Sequence, residues 1–209
     1  MKSRKIRLKP RKVPKQSRSR KLVEYILEAA IRVLKKSPGS GFNTIAVASE
    51  AGVSVGSLYQ YFPNKEALLF QLQMDEATKT REQLQAIFSN CAQPAHKRMK
   101  AALEYFFESE WEERDLRRSL QEASVDVSRS EEFSMLRVDT IAEVESFLRD
   151  NFRTSRKDSQ DWAEYLCFSA SSLAEAGSNL AASHHQYREW SKRSIEMLML
   201  YMKNINNNA

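Results

Sequence analysis

Four of the five glycines in this 209-residue chain, Gly39, Gly41, Gly52 and Gly56, fall between positions 39 and 56. After them only Gly177 remains, and no proline occurs beyond Pro94. Strands joined by tight turns need turn formers spread along the chain, so the pattern predicts an all-α protein with one sharply turned element. Before that turn, residues 44–51 (TIAVASEA) place Ile45, Ala48 and Ala51 at the spacing of a short, closely packed helix. Gly52 suits the left-handed geometry that ends a helix, Val53 supplies an apolar plug, and Ser54 is a good N-cap for a second helix. Two short helices joined in this way form a helix-turn-helix, whose second helix enters the major groove of DNA.

The second helix has residues suited to that task. Val55, Gly56 and Ser57 make its first turn and are small enough for the helix to sit deep in a groove. There the Ser57 hydroxyl and the Val55 methyls can read hydrogen-bonding groups and thymine methyls. Leu58 and Phe62, four residues apart, form an inward stripe, and Tyr59 and Tyr61 are expected to point elsewhere with hydroxyls available for phosphates. Pro63 breaks the helix, Asn64 caps the next, and Lys65 opens it. A lysine there opposes the helix dipole, a mismatch that a nearby phosphate removes.

With these residues in view, the segment from about Arg20 to Leu72 resembles the DNA-binding domain of the tetracycline-repressor (TetR) family of bacterial regulators. The stretch AGVSVGSLYQYFPNKEAL carries the likeness; one departure is Asn43, where the family usually has a threonine, although asparagine also caps. The resemblance implies that Thr44, Tyr59, Tyr61 and Lys65 lie at the DNA backbone and Val55, Gly56 and Ser57 near base edges, with Asn43 also among the DNA-binding positions. It also implies the architecture: an N-terminal three-helix helix-turn-helix domain, joined by a long helix to a C-terminal helical domain for ligand binding and dimerisation. The function so implied is a homodimeric repressor, released from a palindromic double-stranded operator when a small apolar effector enters the second domain. An activator or a protein-controlled regulator would show the same sequence features. A helical enzyme or scaffold with an incidental helix-turn-helix is the alternative from another class.

The net charge of +6 is unevenly placed, because residues 1–21 hold eleven Lys or Arg and no Asp or Glu. The rest of the chain, with 22 basic and 27 acidic residues, is mildly acidic. A basic end on an acidic body points to a polyanion at that end. The expected organisation is therefore a basic disordered arm (1–18), the helix-turn-helix domain (19–65) and the effector and dimerisation domain (66–209). Arg18 and Arg20 are candidate DNA contacts at the root of the arm. A targeting peptide would need an apolar or amphipathic stretch that the arm lacks. The longest apolar run, Met197–Met202, is far too short to span a membrane. Cys91 and Cys167 are far apart, which fits buried thiols in a reducing cytoplasm, with nucleoid association when DNA is bound. Adjacent His184 and His185 fall on different helix faces, with only His96 besides, so no metal site is expected. No phosphate loop or nucleophile elbow is present, so neither a cofactor nor catalysis is expected.

Helical periodicity predicts a first helix over about 19–36, a long helix from Asn64 to about Phe88, and five or so helices beyond. The long helix should pack Leu68, Leu69 and Leu72 on the DNA-binding domain and Leu84, Ile87 and Phe88 on the helices beyond it. A later helix over about 158–183 carries Trp162, Leu166, Ala170, Leu173, Gly177 and Leu180 on one stripe. Leu103, Phe106, Phe107, Trp111, Phe147, Tyr165 and Phe168 are candidate walls of an effector pocket, placed there by the resemblance and their aromatic character. The run Glu108, Glu110, Glu112 and Glu113 reads as a solvated face. Six consecutive apolar residues cover every side of a helix, so Met197–Met202 must serve two surfaces. Ile195, Leu198, Met202 and Ile205 would face the domain core, leaving Trp190, Met197 and Tyr201, with Trp162 and Leu173 of the preceding helix, for a dimer interface.

Overall fold

The computed structural model describes residues 8, 17–123, 125–152 and 155–207, and among these every regular element is helical. The α-helices are α1 (Ser17–Lys36), α2 (Thr44–Glu50), α3 (Val55–Tyr61), α4 (Lys65–Ser89), α5 (Ala95–Glu112), α6 (Arg114–Glu122), α7 (Glu131–Asn151), α8 (Arg156–Leu180) and α9 (His184–Asn207), with single 3-10 turns at Gly39–Gly41 and Val127–Arg129. The all-α expectation holds. The expected disordered arm lies outside the described residues, apart from Leu8 and its last two members. Ser17 and Arg18 are already helical, so α1 starts two residues earlier than its apolar period suggests.

Two compact units divide the chain. One comprises the residues up to Glu76 together with Asp115–Ser130; the other comprises Ala77–Arg114 and Glu131 onward. The first is built on α1–α3 and the opening of α4. The faces it buries are Ile26, Ala29, Ala30, Val33 and Leu34 of α1, Thr44, Val47 and Ala48 of α2, Leu58 and Tyr61 of α3, and Ala67, Leu68, Leu69 and Leu72 of α4. The inner face of α2 is thus one step away from the expected one: Val47 is buried and Ile45 is 68% exposed. In a seven-residue helix whose neighbours lie on one side, Thr44, Val47 and Ala48 are the i, i+3, i+4 set that can all point inward.

Periodicity alone does not show that α6 belongs with this first unit. Leu116, Ser119 and Leu120, again spaced i, i+3, i+4, are its buried residues. The Ser119 hydroxyl donates to the Asp115 carbonyl (2.9 Å) and accepts from the Gly39 N–H (2.7 Å), a buried bond across 80 positions. Gly39 sits at φ +69°, a left-handed conformation that favours glycine, and a side chain there would run into the Glu122 carboxylate.

The second unit packs α5, α7, α8 and α9 around Met99, Leu103, Phe107, Val144, Phe147, Leu148, Leu166, Tyr187, Ile195, Leu198 and Met202. Ala163, Ala170 and Ala174 of α8 are buried in this cluster, and such small side chains allow close helix approach. Tyr187 is fully buried and donates its hydroxyl to the Phe107 carbonyl at 2.6 Å, which satisfies the one polar atom that burial would penalise. The later half of α4 contributes Phe88, stacked on Phe147 with ring centroids 4.5 Å apart. Ile195, Leu198 and Met202 face this core as expected, whereas the side chain of Ile205 lies outside the described residues. Two expectations are corrected here. Leu180, assigned to the inner stripe of α8, is 71% exposed because it closes the helix beyond the last core layer, and Glu113, read as part of a solvated run, is buried.

Candidate nucleic-acid interface

Local chemistry defines the turn between α2 and α3. Asn43 has extended backbone geometry, and its side-chain oxygen accepts from the Ala46 N–H at 2.9 Å, capping α2. Its amide nitrogen donates to the Gly41 carbonyl at 3.1 Å, which fixes the cap to the preceding turn. Gly52 lies at φ +67° and carries the chain out of α2, while the Val53 N–H returns to the Ala48 carbonyl at 3.0 Å. Ser54 then caps α3 by accepting from the Ser57 N–H at 3.0 Å, and the two serine hydroxyls are 2.8 Å apart. On the other flank of α2, Glu50 accepts from Arg32 (2.8 Å) and Lys36 (3.0 Å) of α1. These two cations hold the Glu50 carboxyl below its ordinary pKa, Lys36 contributing more. The linkage is therefore present above the unfolded-state pKa and is lost as pH falls through the lower folded-state value.

Most of the proposed DNA-contact residues share this unit's surface. Val55 and Gly56 are exposed on the first turn of α3, with Ser57 half-buried behind them. Tyr59 is partly exposed, and its hydroxyl lies 3.0 Å from the Thr44 hydroxyl, so these two side chains form one bridge between α2 and α3. Thr44 is itself buried, which leaves its role as a tether of Tyr59. Asn64 caps α4 by accepting from the Ala67 N–H at 2.7 Å, which places Lys65 as the first helical residue, half-buried. Arg18 and Arg20 are on α1, Arg20 exposed and Arg18 at its first turn. Tyr61 is the correction in this set: it is 6% exposed and packs inward with Leu58 and Phe62, because position 61 falls three residues after Leu58 on the buried face.

One residue here has no structural explanation within the protein. Gly56 does not have a positive φ, and a methyl group added to it would meet only the Ser54 hydroxyl, at an ordinary 3.8 Å. Glycine inside a helix costs about 1 kcal/mol relative to alanine. The fold does not require it.

The proposed effector and dimer residues are distributed differently from their expected grouping. Leu103, Phe107 and Phe147 are core residues, and Phe106 and Trp111 pack partly against that core. Trp111 stacks on Tyr187 (5.0 Å) and His184 (5.3 Å), with the Arg114 guanidinium 4.2 Å from its ring centre. Tyr165 and Phe168 are not with them: they are 52% and 72% exposed on the outer side of α8. There they line a groove of about 340 Å³ with Leu173, Met197 and Tyr201. A neighbouring groove of about 590 Å³ is lined by Leu173, Gly177, Leu180, Trp190 and Met197. Gly177 leaves room for the Trp190 indole, whose N–H donates to the Leu173 carbonyl at 2.9 Å. Four of the five proposed interface residues therefore line one continuous apolar face, and Trp162 instead packs partly against the core. Leu180 and Leu200, also exposed on α8 and α9, are additions that sequence reasoning does not supply; the unbroken run 197–202 is the available signal for Leu200.

A capped helix-turn-helix with a small, exposed first turn on its second helix, in an all-α chain, defines a DNA-binding transcriptional regulator. Residues 26–72 match the family model described as bacterial regulatory proteins, tetR family. The nucleoid occlusion factor SlmA of Shewanella sp. (strain W3-18-1) is 45% identical over 42 residues, 20% of this chain and 21% of that protein. The match thus spans about a fifth of the length of such curated relatives. Among solved structures, a transcriptional regulator from Cytophaga hutchinsonii aligns with a TM-score of 0.71 at 16% identity, over 88% of this chain and 98% of that one. The regulator FadR from Bacillus subtilis, solved in complex with stearoyl-CoA, aligns with a TM-score of 0.64 at 15% identity, over 85% and 97%. At these identities the likeness is one of fold. Among the described residues no helix is long and apolar enough to cross a membrane.

Proposed function

We propose that the protein is a homodimeric repressor that binds a palindromic operator and leaves it when a small apolar molecule binds its second unit. Gly56 carries the DNA-binding part of this reading: it is exposed on the first turn of α3, unneeded by the fold, and placed where a groove floor would approach the backbone. Val55 and Ser57 beside it would read base edges, while Lys65 and the Tyr59 hydroxyl would position the domain on phosphates. Arg18, Arg20 and the basic residues before them would add sequence-independent attraction. The protein would act in the cytoplasm and associate with the nucleoid when bound. The SlmA likeness is confined to the helix-turn-helix segment, so it supports DNA binding and does not transfer that relative's named role.

The open face of α8 and α9 supports dimerisation, since Phe168, Trp190, Met197 and Tyr201 form a larger apolar surface than an isolated helix pair keeps in water. Two recognition helices held at one helical repeat then meet two half-sites. Effector entry among Leu103, Phe106, Phe107 and Trp111 would favour another tilt of α4 and move the recognition helices out of operator spacing. Couplings of roughly 1–3 kcal/mol are typical of such linkage, and operator must weaken effector binding by the same factor. Because one structural neighbour holds stearoyl-CoA, long-chain acyl-CoA is the first effector class to test.

The test is gel retardation of the DNA flanking its own gene, across a salt series, with wild type and Gly56→Ala. Wild type should bind selectively, with affinity that falls steeply as salt rises. The variant should melt higher, by a stability gain of up to about 1 kcal/mol, yet bind operator more weakly. Equal binding by both proteins would remove Gly56 as the contact point.

A further inference from the structure

Among the described residues of the first unit, the large apolar side chains left exposed are Tyr25, Ile45, Val55 and Tyr59, and Ile45 at 68% is the most exposed of them. Its neighbours define the flank of α2 on which it lies. Glu50 is bonded to Arg32 and Lys36, which marks the α1-facing flank. Position 45 precedes it by five residues, about 140° around the helix at 3.6 residues per turn. Ile45 therefore projects on the flank away from α1, next to Thr44, whose hydroxyl bonds Tyr59 of α3. The Thr44–Tyr59 bridge fixes that part of α2 against α3. Along the same segment Asn43, Ser49, Ser54, Ser57 and Gln60 are exposed or half-exposed and polar, and Ala46, Val53 and Val55 are smaller aliphatic residues with some exposure.

Single exposed apolar residues are common and prove nothing alone. Here the position is tethered to the recognition helix, and the side chain is stiff, since a β-branched residue in a helix strongly prefers one χ1 rotamer. The one apolar group that B-DNA presents in its major groove is the thymine methyl. We propose that Ile45 is a second base-reading residue, outside the recognition helix, which selects thymine by apolar contact with its 5-methyl group. The proposal rests on the operator-binding reading above and adds a specificity determinant on α2 to those on α3.

The experiment starts with selection of bound duplexes from random-sequence DNA by the full-length protein. The consensus half-site is then remade with single thymine-to-deoxyuridine replacements, each of which removes one methyl group and nothing else. Affinities are measured for wild type, Ile45→Ala, Ile45→Val and Val55→Ala. At one thymine, loss of the methyl should weaken wild type about fourfold, the equivalent of about 0.8 kcal/mol for one buried methyl-sized group. Ile45→Ala should be indifferent to that replacement, Ile45→Val should retain part of it, and Val55→Ala should keep the full penalty there. The inference is overturned if wild type ignores every replacement, or if Ile45→Ala keeps the wild-type pattern. It is also overturned if Ile45→Ala weakens all sequences alike, which would make Ile45 a sugar-backbone contact. If wild type selects no sequence at all, the operator-binding reading itself fails, an outcome distinct from the others. The exposure of Ile45 keeps these variants folded, and thermal melts of each confirm it.

Discussion

In the DNA-binding unit the exposed large apolar residues, Tyr25, Ile45, Val55 and Tyr59, are spread over three helices among polar and basic neighbours. In the second unit, α8 and α9 alone expose Tyr165, Phe168, Leu180, Trp190, Met197, Leu200 and Tyr201. The first pattern suits a hydrated, charged partner, with isolated apolar contacts for specificity. The second suits an apolar partner surface, because clustered exposed apolar side chains are unfavourable in water. The elements that build the two units differ in the same sense. In the first, the two short helices α2 and α3 are capped and fixed by a few hydrogen bonds near the turn; in the second, helices of 18 to 25 residues are positioned by side-chain packing.

The largest effect that would break this contrast comes from the apolar face. Met197→Glu should yield a folded monomer whose operator affinity falls by about a hundredfold or more, since engaging two half-sites together is lost. Light scattering and retardation read both quantities. A variant that stays dimeric would place the interface elsewhere. Next is the turn that joins α1 to α2. Gly39→Ala should cost about 1–2 kcal/mol in urea unfolding through left-handed strain, with the Glu122 carboxylate moving aside, whereas alanine at Gly56 acts in the opposite direction on stability. Equal signs at the two glycines would contradict their assigned roles.

A smaller effect is expected at Lys65. Its replacement by alanine should weaken all DNA sequences alike and reduce the slope of log affinity against log salt by about 0.9 for one phosphate. A change in sequence preference instead would make it a reader. Smallest of all is a purely chemical contrast between the two thiols. Burial pushes the Cys167 thiol up to about 12, while Cys91 is exposed. Since the thiolate is the reacting form, iodoacetamide at neutral pH should label Cys91 in the native protein and Cys167 only after unfolding. Labelling of both at equal rates would show that the α8 packing around Cys167 is loose.

Much of the DNA-binding unit is legible in the sequence because its determinants are local. Asn43, Ser54, Asn64 and Gly52 act on backbone groups within a few residues, and a cap or a left-handed turn needs no distant partner. The inward direction of Tyr61 is not legible in the same way, because the side a residue takes on a two-turn helix depends on which neighbours cover it. The same holds for Ile45, since in so short a helix several apolar stripes fit the pattern equally well.

The sequence by itself determined the all-α class, the caps and turn of the helix-turn-helix, the concentration of positive charge near one end, and the surplus of apolar residues in the last helix. These are properties of residue type and spacing, which act over one or two turns of backbone. Only the tertiary structure decided that α6 joins the first unit through Ser119 and Gly39, 80 positions apart, and that Tyr165 and Phe168 belong to the open α8–α9 face rather than to the aromatic core. Both depend on which helix faces meet across long stretches of chain. That choice is made by the fit of many side chains at once, and an aromatic residue is equally apolar whichever surface it finally serves.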